Sequence, residues 1–147
     1  MQSRLNMGAT QPEAYKAMSA LDRFVFASGI GRLQREMIKI RASQINGCAF
    51  CVNQHTRDAR KLGETEQRIY LMSVWKEAGD LFTAEEQVML AMTEEITLIH
   101  KHGLSDELYE KAIQLLGEEK TAQVIMAIIT INSWNRIGVT LNMHPEL

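Results

Sequence analysis

The sequence lacks the features that would interrupt helices or build a sheet. Its 147 residues include only two prolines, Pro12 and Pro145, and both lie near the chain ends. Proline inside a helix removes a hydrogen bond and clashes with the preceding turn, so the interior of this sequence is free of the strongest helix breaker. No run of β-branched residues alternates with polar residues over a useful length, as half-buried strands do. We therefore predict an all-α fold.

The sequence also lacks the charge and the apolar runs of nucleic-acid-binding and membrane proteins. A net charge of −2 provides neither a basic footprint for nucleic acid nor a polybasic signal for membranes. No apolar run approaches the roughly 20 residues that a bilayer-spanning helix needs. The opening stretch MQSRLNMGATQPEAYKAM contains no apolar segment of a signal peptide. We expect no nucleic-acid partner, no membrane partner and a cytoplasmic location.

The length and the apolar pattern fit one compact helical domain over residues 1–147, with about six to eight helices. Apolar residues recur at helical spacing from Gln11 to about Ala27 and from about Arg32 to Ile45. Thr83 begins a capping-box pattern that opens a helix to about His100. The apolar run VIMAIITI lies within a final helix from about Lys120 to Leu141 and suits burial in a subunit interface.

The only two cysteines lie together in the stretch INGCAFCVNQHT. Gly47 predicts a turn, so a helix begins near Cys48. Cys48, Cys51 and His55 then occupy positions i, i+3 and i+7 and share one face. A helix N-terminus stabilises thiolates, and cysteine pKa values in such settings fall to about 3.5–7.5. Because structural disulfides are rare in the cytoplasm, the spacing favours a redox-active pair that can form a disulfide.

Glu36 lies twelve residues before Cys48, on the preceding predicted helix, where it shares a face with Leu33 and Ile40. Desolvation on an apolar face raises a carboxyl pKa, which suits a proton acceptor. The short turn makes the two helices neighbours. A relay from a cysteine through His55 to Glu36 would activate the thiol.

Other interpretations remain open for the two cysteines. They could be small buried apolar residues with no chemistry. They could also form a zinc site with His55, if one of three further histidines supplied the fourth ligand. Those three are His100, His102 and His144, and none has a recognisable ligand spacing.

Simpler roles are also open for Glu36 and His55. Glu36 could pair with Arg32 or Lys39, one turn away on its own helix, and His55 could pair with Asp58. The joint spacing of all four candidate residues favours the redox site over these separate explanations.

At Glu36, Cys48, Cys51 and His55 the sequence resembles the carboxymuconolactone decarboxylase superfamily, and within it the alkylhydroperoxidase D (AhpD-like) branch. That branch carries Glu, eleven residues, Cys-x-x-Cys, three residues and His, and this sequence matches every spacing. The stretches VWKEAGDLFTAEEQVMLAMTEEIT and INSWNRIGVT also resemble the family. The decarboxylase branch lacks the cysteine pair, which argues against that activity. A superfamily enzyme acting on a carbonyl or lactone, with incidental thiols, remains an alternative.

The resemblance implies an all-helical fold and an oxidoreductase with a peroxidase cycle. Cys51 would attack a hydroperoxide with help from His55 and Glu36, and Cys48 would resolve the sulfenic acid to a disulfide. The resemblance implies no metal or flavin cofactor. It implies an external dithiol reductant, lipoyl-linked or thioredoxin-like, and a homo-oligomer, either a trimer or a hexamer. Some family members carry a histidine beside the second cysteine, where this chain has Phe50.

The two tryptophans are weaker candidates. Trp75 and Trp134 could line a substrate pocket, but core or interface positions are the more common role of such residues. We assign no catalytic role to Asn135 or Arg136.

Overall fold

The computed structural model describes residues 4–145, and within that range all regular structure is helical. This confirms the all-α prediction and the expected six to eight helices. The helices are α1 (Met7–Thr10), α2 (Pro12–Ala27), α3 (Arg32–Asn46), α4 (Ala49–Lys61), α5 (Glu66–Leu71), α6 (Ala84–Thr97), α7 (Ile99–His102) and α8 (Asp106–Thr140). Two short 3₁₀ helices, Met72–Glu77 and Gly79–Leu81, connect α5 to α6. That one domain spans residues 1–147 stays a prediction.

Helix α3 lies at the centre of the fold and contacts α4, α6 and α8. Its apolar side chains pack with those of α6 and α8 in a single cluster, and this packing fixes where α3 presents its remaining side chains. Fully buried members of the cluster include Met37, Ile38, Ile40, Met89, Leu90, Met92, Val124 and Ile128. The helices that carry the candidate site are therefore held by the main core.

Several helix boundaries differ from the predictions. The Thr83 capping box is present, with the Thr83 N–H donating to Glu86 Oε2 at 2.8 Å, but α6 ends at Thr97. The predicted final helix, from about Lys120 to Leu141, is the second part of a longer element, α8, which begins at Asp106 and is interrupted at Gly117, where φ is 78°. Helix α1 was not predicted, because four residues are too few to show a period.

The apolar run in α8 packs mainly inside the chain itself. Val124, Ile128 and Ile131 are buried in its own core, whereas Ile129 remains 43% exposed. The apolar character of this helix is thus explained without a subunit interface, and the homo-oligomer stays a prediction. Within residues 4–145, no helix has both the length and the apolarity needed to cross a bilayer.

Candidate active site

A tight turn between α3 and α4 places the two cysteines. Gly47 adopts a left-handed conformation with φ of 67°, which a residue without a Cβ adopts at no steric cost, and it ends α3. Cys48 follows as the N-cap of α4, and its Sγ accepts a hydrogen bond from the backbone N–H of Cys51 at 3.4 Å. The predicted helix start near Cys48 is confirmed.

The two sulfurs lie at bonding distance and form a disulfide between Cys48 and Cys51. The Cα atoms are 5.4 Å apart, within the range of about 4.4–6.8 Å that disulfides require. Both residues are buried, with 2% of Cys48 and 5% of Cys51 exposed. The backbone therefore places the two cysteines at a separation that suits a disulfide.

Glu36 reaches His55 across the hairpin. Its Oε2 lies 2.8 Å from Nδ1 of His55, and its Oε1 accepts a hydrogen bond from Lys39 Nζ at 3.3 Å. Both the proposed relay contact and the simpler pairing with Lys39 are thus present. The alternative hydrogen bond between His55 and Asp58 does not form among the described residues; Asp58 lies near His55 but accepts hydrogen bonds from Gln54 and Lys61.

The pKa of Glu36 differs from the prediction. Burial raises this pKa and is the largest single influence, but hydrogen bonds and charge from His55 and Lys39 together outweigh it. The pKa of Glu36 therefore lies below its usual range, and the expectation of a raised value was wrong. The sequence argument counted desolvation and omitted the two partners that favour the ionised carboxylate, His55 and Lys39.

The ionisation of Glu36 fixes the tautomer of His55. An ionised carboxylate only accepts hydrogen bonds, so the short contact requires a hydrogen on Nδ1 of His55. In a neutral imidazole the other nitrogen, Nε2, is then the acceptor. When His55 is neutral, Nε2 is therefore the nitrogen that can receive a proton.

Cys51 and His55 both line a cavity of about 480 Å³. Its wall comes from the segment before and within α1, from α2, from α4 and from the end of α8. The lining includes Tyr15, Phe50, Trp134, Ile137, Leu141 and Met143, and it is mainly apolar. The residues before α1 are fixed to α8 by a hydrogen bond from the Arg4 backbone N–H to the carbonyl of Leu141 at 3.1 Å. Cys48 is not part of the lining.

Helix α8 supplies two features that the sequence interpretation missed. Gly138 packs directly on the cysteines, because a Cβ at that position would lie 3.0 Å from Cys48 Sγ. Asn135, which is 1% exposed, donates to Ser43 Oγ at 2.9 Å and accepts from Asn46 Nδ2 at 2.9 Å. These contacts hold the end of α3, and so the turn before Cys48, against α8. Asn135 and Gly138 both lie in the stretch INSWNRIG, whose resemblance to the family was the sequence feature that could have indicated them.

Trp75 and Trp134 have different environments. Trp75 is 9% exposed, in the core, and its indole N–H donates to Glu94 Oε1 at 2.9 Å. Trp134 is half-buried, lines the cavity, and makes an edge-to-face contact with Tyr15 at 5.2 Å between ring centroids. The core role is confirmed for Trp75. Trp134 packs against the core and also lines the cavity, and its contact with a substrate stays a prediction.

The described side chains that could together bind a metal ion do not include the two cysteines. Among the residues that the structure describes, the side chains with ligand atoms within 4.8 Å of one another are those of Glu36, His55 and Asp58. Neither cysteine belongs to this group. The zinc set of Cys48, Cys51, His55 and a further histidine is therefore not assembled in this form of the chain.

Comparisons with known proteins identify the family. The sequence profile of the Carboxymuconolactone decarboxylase family matches residues 12–94. The chain belongs to this family. It is 44% identical over 141 residues to the uncharacterized protein YdfG of Bacillus subtilis (strain 168), covering 96% of this chain and 95% of that protein.

Solved structures place the chain in the AhpD-like part of the family. One is a protein of unknown function from Agrobacterium tumefaciens, suggested to be the antioxidant defence protein AhpD. It is 38% identical, with a TM-score of 0.94 and 99% of each chain covered. Another is the alkylhydroperoxidase AhpD core of an uncharacterized peroxidase-related protein from Ralstonia eutropha JMP134. It is 22% identical, with a TM-score of 0.79 over 95% of this chain and 74% of that one. At that identity the likeness supports the fold alone.

Proposed function

We propose that this AhpD-like protein is a thiol peroxidase that reduces organic hydroperoxides at Cys51. The observation that carries the proposal is the arrangement of three groups. Cys51 and His55 line one cavity, and Cys48 lies at bonding distance from Cys51 but outside that lining. A substrate in the cavity would meet the attacking thiol and its base together, with the resolving thiol already in place.

Activation of Cys51 depends on the Glu36–His55 contact. With Nδ1 oriented towards Glu36, His55 receives the thiol proton at Nε2, and the resulting imidazolium is stabilised by the ionised carboxylate. The thiolate is the nucleophilic form of cysteine. Glu36 acts here as an ionised positioning residue, and the base is His55.

The cycle balances with one hydroperoxide and one dithiol. The Cys51 thiolate attacks the hydroperoxide oxygen, the O–O bond breaks, and the alkoxide takes a proton from His55 to leave as an alcohol. Cys51 is then a sulfenic acid. The Cys48 thiolate attacks that sulfur, and hydroxide leaves and is protonated to water as the disulfide forms. An external dithiol, lipoyl-linked or thioredoxin-like, reduces the disulfide and becomes oxidised itself, so no bound cofactor takes part.

The cavity favours a hydroperoxide that carries an apolar organic group. Its volume of about 480 Å³ far exceeds the space that hydrogen peroxide needs, and Tyr15, Phe50 and Trp134 give it aromatic walls. Burial of apolar surface there would contribute binding free energy. Phe50 offers no proton, so it contributes surface rather than chemistry.

We also propose a trimer or hexamer in a cytoplasmic setting, where dithiol reductants are present. Helix α2 supports an assembly, because among its sixteen residues only Val25 is buried, while Phe24 and Phe26 are 50% and 70% exposed. Light scattering on the purified protein measures the assembly directly.

The test is hydroperoxide consumption with a dithiol reductant by wild-type protein and by Cys51→Ser and Cys48→Ser variants. We expect Cys51→Ser to be inactive. Cys48→Ser should still form a sulfenic acid, which dimedone traps at Cys51. In wild-type protein, one equivalent of cumene hydroperoxide should remove both free thiols. Retention of both thiols, with turnover of a carbonyl or lactone substrate, would favour the superfamily alternative, and stoichiometric zinc in the purified protein would favour the metal site.

A further inference from the structure

The two sulfurs of the disulfide are not equally accessible. Cys51 lines the cavity, whereas Cys48 does not and is only 2% exposed. Thiol–disulfide exchange requires the incoming thiolate to reach one particular sulfur, so access decides which sulfur is attacked. From the cavity, the accessible sulfur is that of Cys51.

Gly138 packs against Cys48 and itself lines the cavity. A Cβ there would lie 3.0 Å from Cys48 Sγ and 3.7 Å from Cys51 Sγ, so the α8 backbone lies directly on the pair. Glycine inside a helix costs about 0.5–1 kcal/mol relative to alanine, so a local helix preference does not explain this residue. The close approach to Cys48 does.

Cys48 is also placed to accept negative charge. It is the N-cap of α4, and its sulfur accepts the N–H of Cys51 at 3.4 Å. A thiolate at a helix N-terminus is stabilised by the helix dipole and the free N–H groups. A better-stabilised thiolate leaves faster in exchange.

We propose that the reductant attacks Cys51 and that Cys48 is the leaving group, with Gly138 as the positioning residue that bars attack on Cys48. This rests on the proposed function only in assuming that an external dithiol reduces the pair. One thiolate of the dithiol bonds to Cys51 Sγ, the Cys48–Cys51 bond breaks, and Cys48 leaves as a thiolate. The second thiolate of the reductant then attacks the reductant sulfur that is bonded to Cys51. An internal disulfide forms in the reductant, and Cys51 is released as a thiolate. Both halves of the cycle therefore use the same sulfur.

The experiment uses wild-type protein oxidised with diamide, which makes the disulfide without any peroxide. Brief exposure to 2-mercaptoethanol forms a mixed disulfide with one cysteine, and this species persists because a monothiol has no second thiol to release it. Excess N-ethylmaleimide then alkylates the other cysteine, which is now free. Trypsin releases residues 42–57 as one peptide, and fragmentation between the cysteines locates each label. We expect 2-mercaptoethanol on Cys51 and N-ethylmaleimide on Cys48, in excess over the reverse pattern by at least about tenfold.

A second measurement compares the single-cysteine variants. Cys51 in Cys48→Ser should react readily with a methanethiosulfonate reagent, while Cys48 in Cys51→Ser should react at a comparable rate only in urea. Mixed disulfide found mainly on Cys48, or equal reactivity of the two cysteines in folded protein, would overturn the proposal. A failure of hydroperoxide reduction alone would overturn the proposed function and leave the exchange result intact.

Discussion

The carboxylate of Glu36 is shared between two hydrogen-bond partners: His55 Nδ1 lies 2.8 Å from one oxygen, and Lys39 Nζ lies 3.3 Å from the other. A carboxylate held this way keeps its negative charge, because both partners favour the ionised form. In the proposed mechanism, Glu36 therefore orients His55 rather than taking the proton itself. The proposed relay from Cys51 thus ends at His55.

Glu36→Gln tests this role, since it removes the charge while keeping the size of the side chain. We expect the peroxidase rate to fall by about 10²–10⁴-fold, because a misoriented imidazole is a poor base. In a Cys48→Ser background, iodoacetamide alkylation of Cys51 should shift to higher pH. Lys39→Gln removes the other partner without touching His55 and should leave the alkylation profile near that of wild type. Superimposable profiles for Glu36→Gln and its parent would remove Glu36 from the site.

The lowered pKa of Glu36 also predicts how stability depends on pH. Burial raises this pKa, and the contacts with His55 and Lys39 lower it by more. Its contribution to stability is therefore fully present above the unfolded-state pKa of about 4.3, and it is lost as pH falls through the lower folded-state pKa. In urea unfolding, the free energy of wild-type protein should fall more steeply than that of Glu36→Gln from about pH 5 to about pH 3. Parallel curves would contradict the lowered pKa.

The local part of the site could be predicted from the sequence. A glycine turn, two cysteines at i and i+3 and a histidine at i+7 are all features of neighbouring residues, and α3, Gly47 and α4 match them. The capping box at Thr83 is local in the same way.

What the sequence did not reveal depends on contacts between distant segments. The cavity joins the residues before α1 to the end of α8, and Gly138 lies far along the chain from Cys48. The periodicity of apolar residues predicts which face of a helix is buried, but it does not predict which other segment packs against that face. The pKa of Glu36 was misjudged for a related reason. The direction of its shift depends on whether two specific side chains contact the carboxylate, and one of them, His55, lies on another helix.

Gly138→Ala should make the disulfide less favourable. The added Cβ would lie 3.0 Å from Cys48 Sγ, so the sulfur or the helix has to move. Alanine alone would stabilise the helix by about 1 kcal/mol, so a loss would come from the contact and not from the backbone. We expect the equilibrium with dithiothreitol to shift towards the dithiol. Val139→Ala, at a position 48% exposed on the same helix, is the matched control and should match wild type. If both variants have the same equilibrium between disulfide and dithiol, the sulfur or the helix moves away from the added Cβ without a cost in free energy.

Asn135→Ala should destabilise the protein and loosen the turn before Cys48. The change removes the donor to Ser43 and the acceptor for Asn46, while Ser43 still donates to the carbonyl of Lys39 and Asn46 to Asn132. Each lost hydrogen bond costs about 0.5–1.5 kcal/mol. Urea unfolding measures the loss. Asn53→Ala, at a half-buried position on α4 outside this network, should stay close to wild type. Equal losses for the two variants would mean that the network contributes no specific stability.

Trp134→Ala should change which hydroperoxide the enzyme prefers. Trp134 lines the cavity against Tyr15, at 5.2 Å between ring centroids. Truncation removes apolar surface that would contact a bulky organic group, but hydrogen peroxide has no such group. We expect kcat/KM for cumene hydroperoxide to fall by about tenfold, equivalent to ~1.4 kcal/mol, with little change for hydrogen peroxide.

The ratio of the two kcat/KM values is the decisive quantity, because a general loss of folded protein lowers both equally. Ile129→Ala, at a position 43% exposed on the same helix and outside the cavity lining, should leave the ratio unchanged. The pH profile of Cys51 alkylation should also be unaffected by Trp134→Ala, since the thiol, His55 and Glu36 all remain. An unchanged ratio would mean that the organic group of the substrate does not occupy this cavity. Equal losses for both peroxides, with a shifted alkylation profile, would instead place Trp134 in control of the thiol itself.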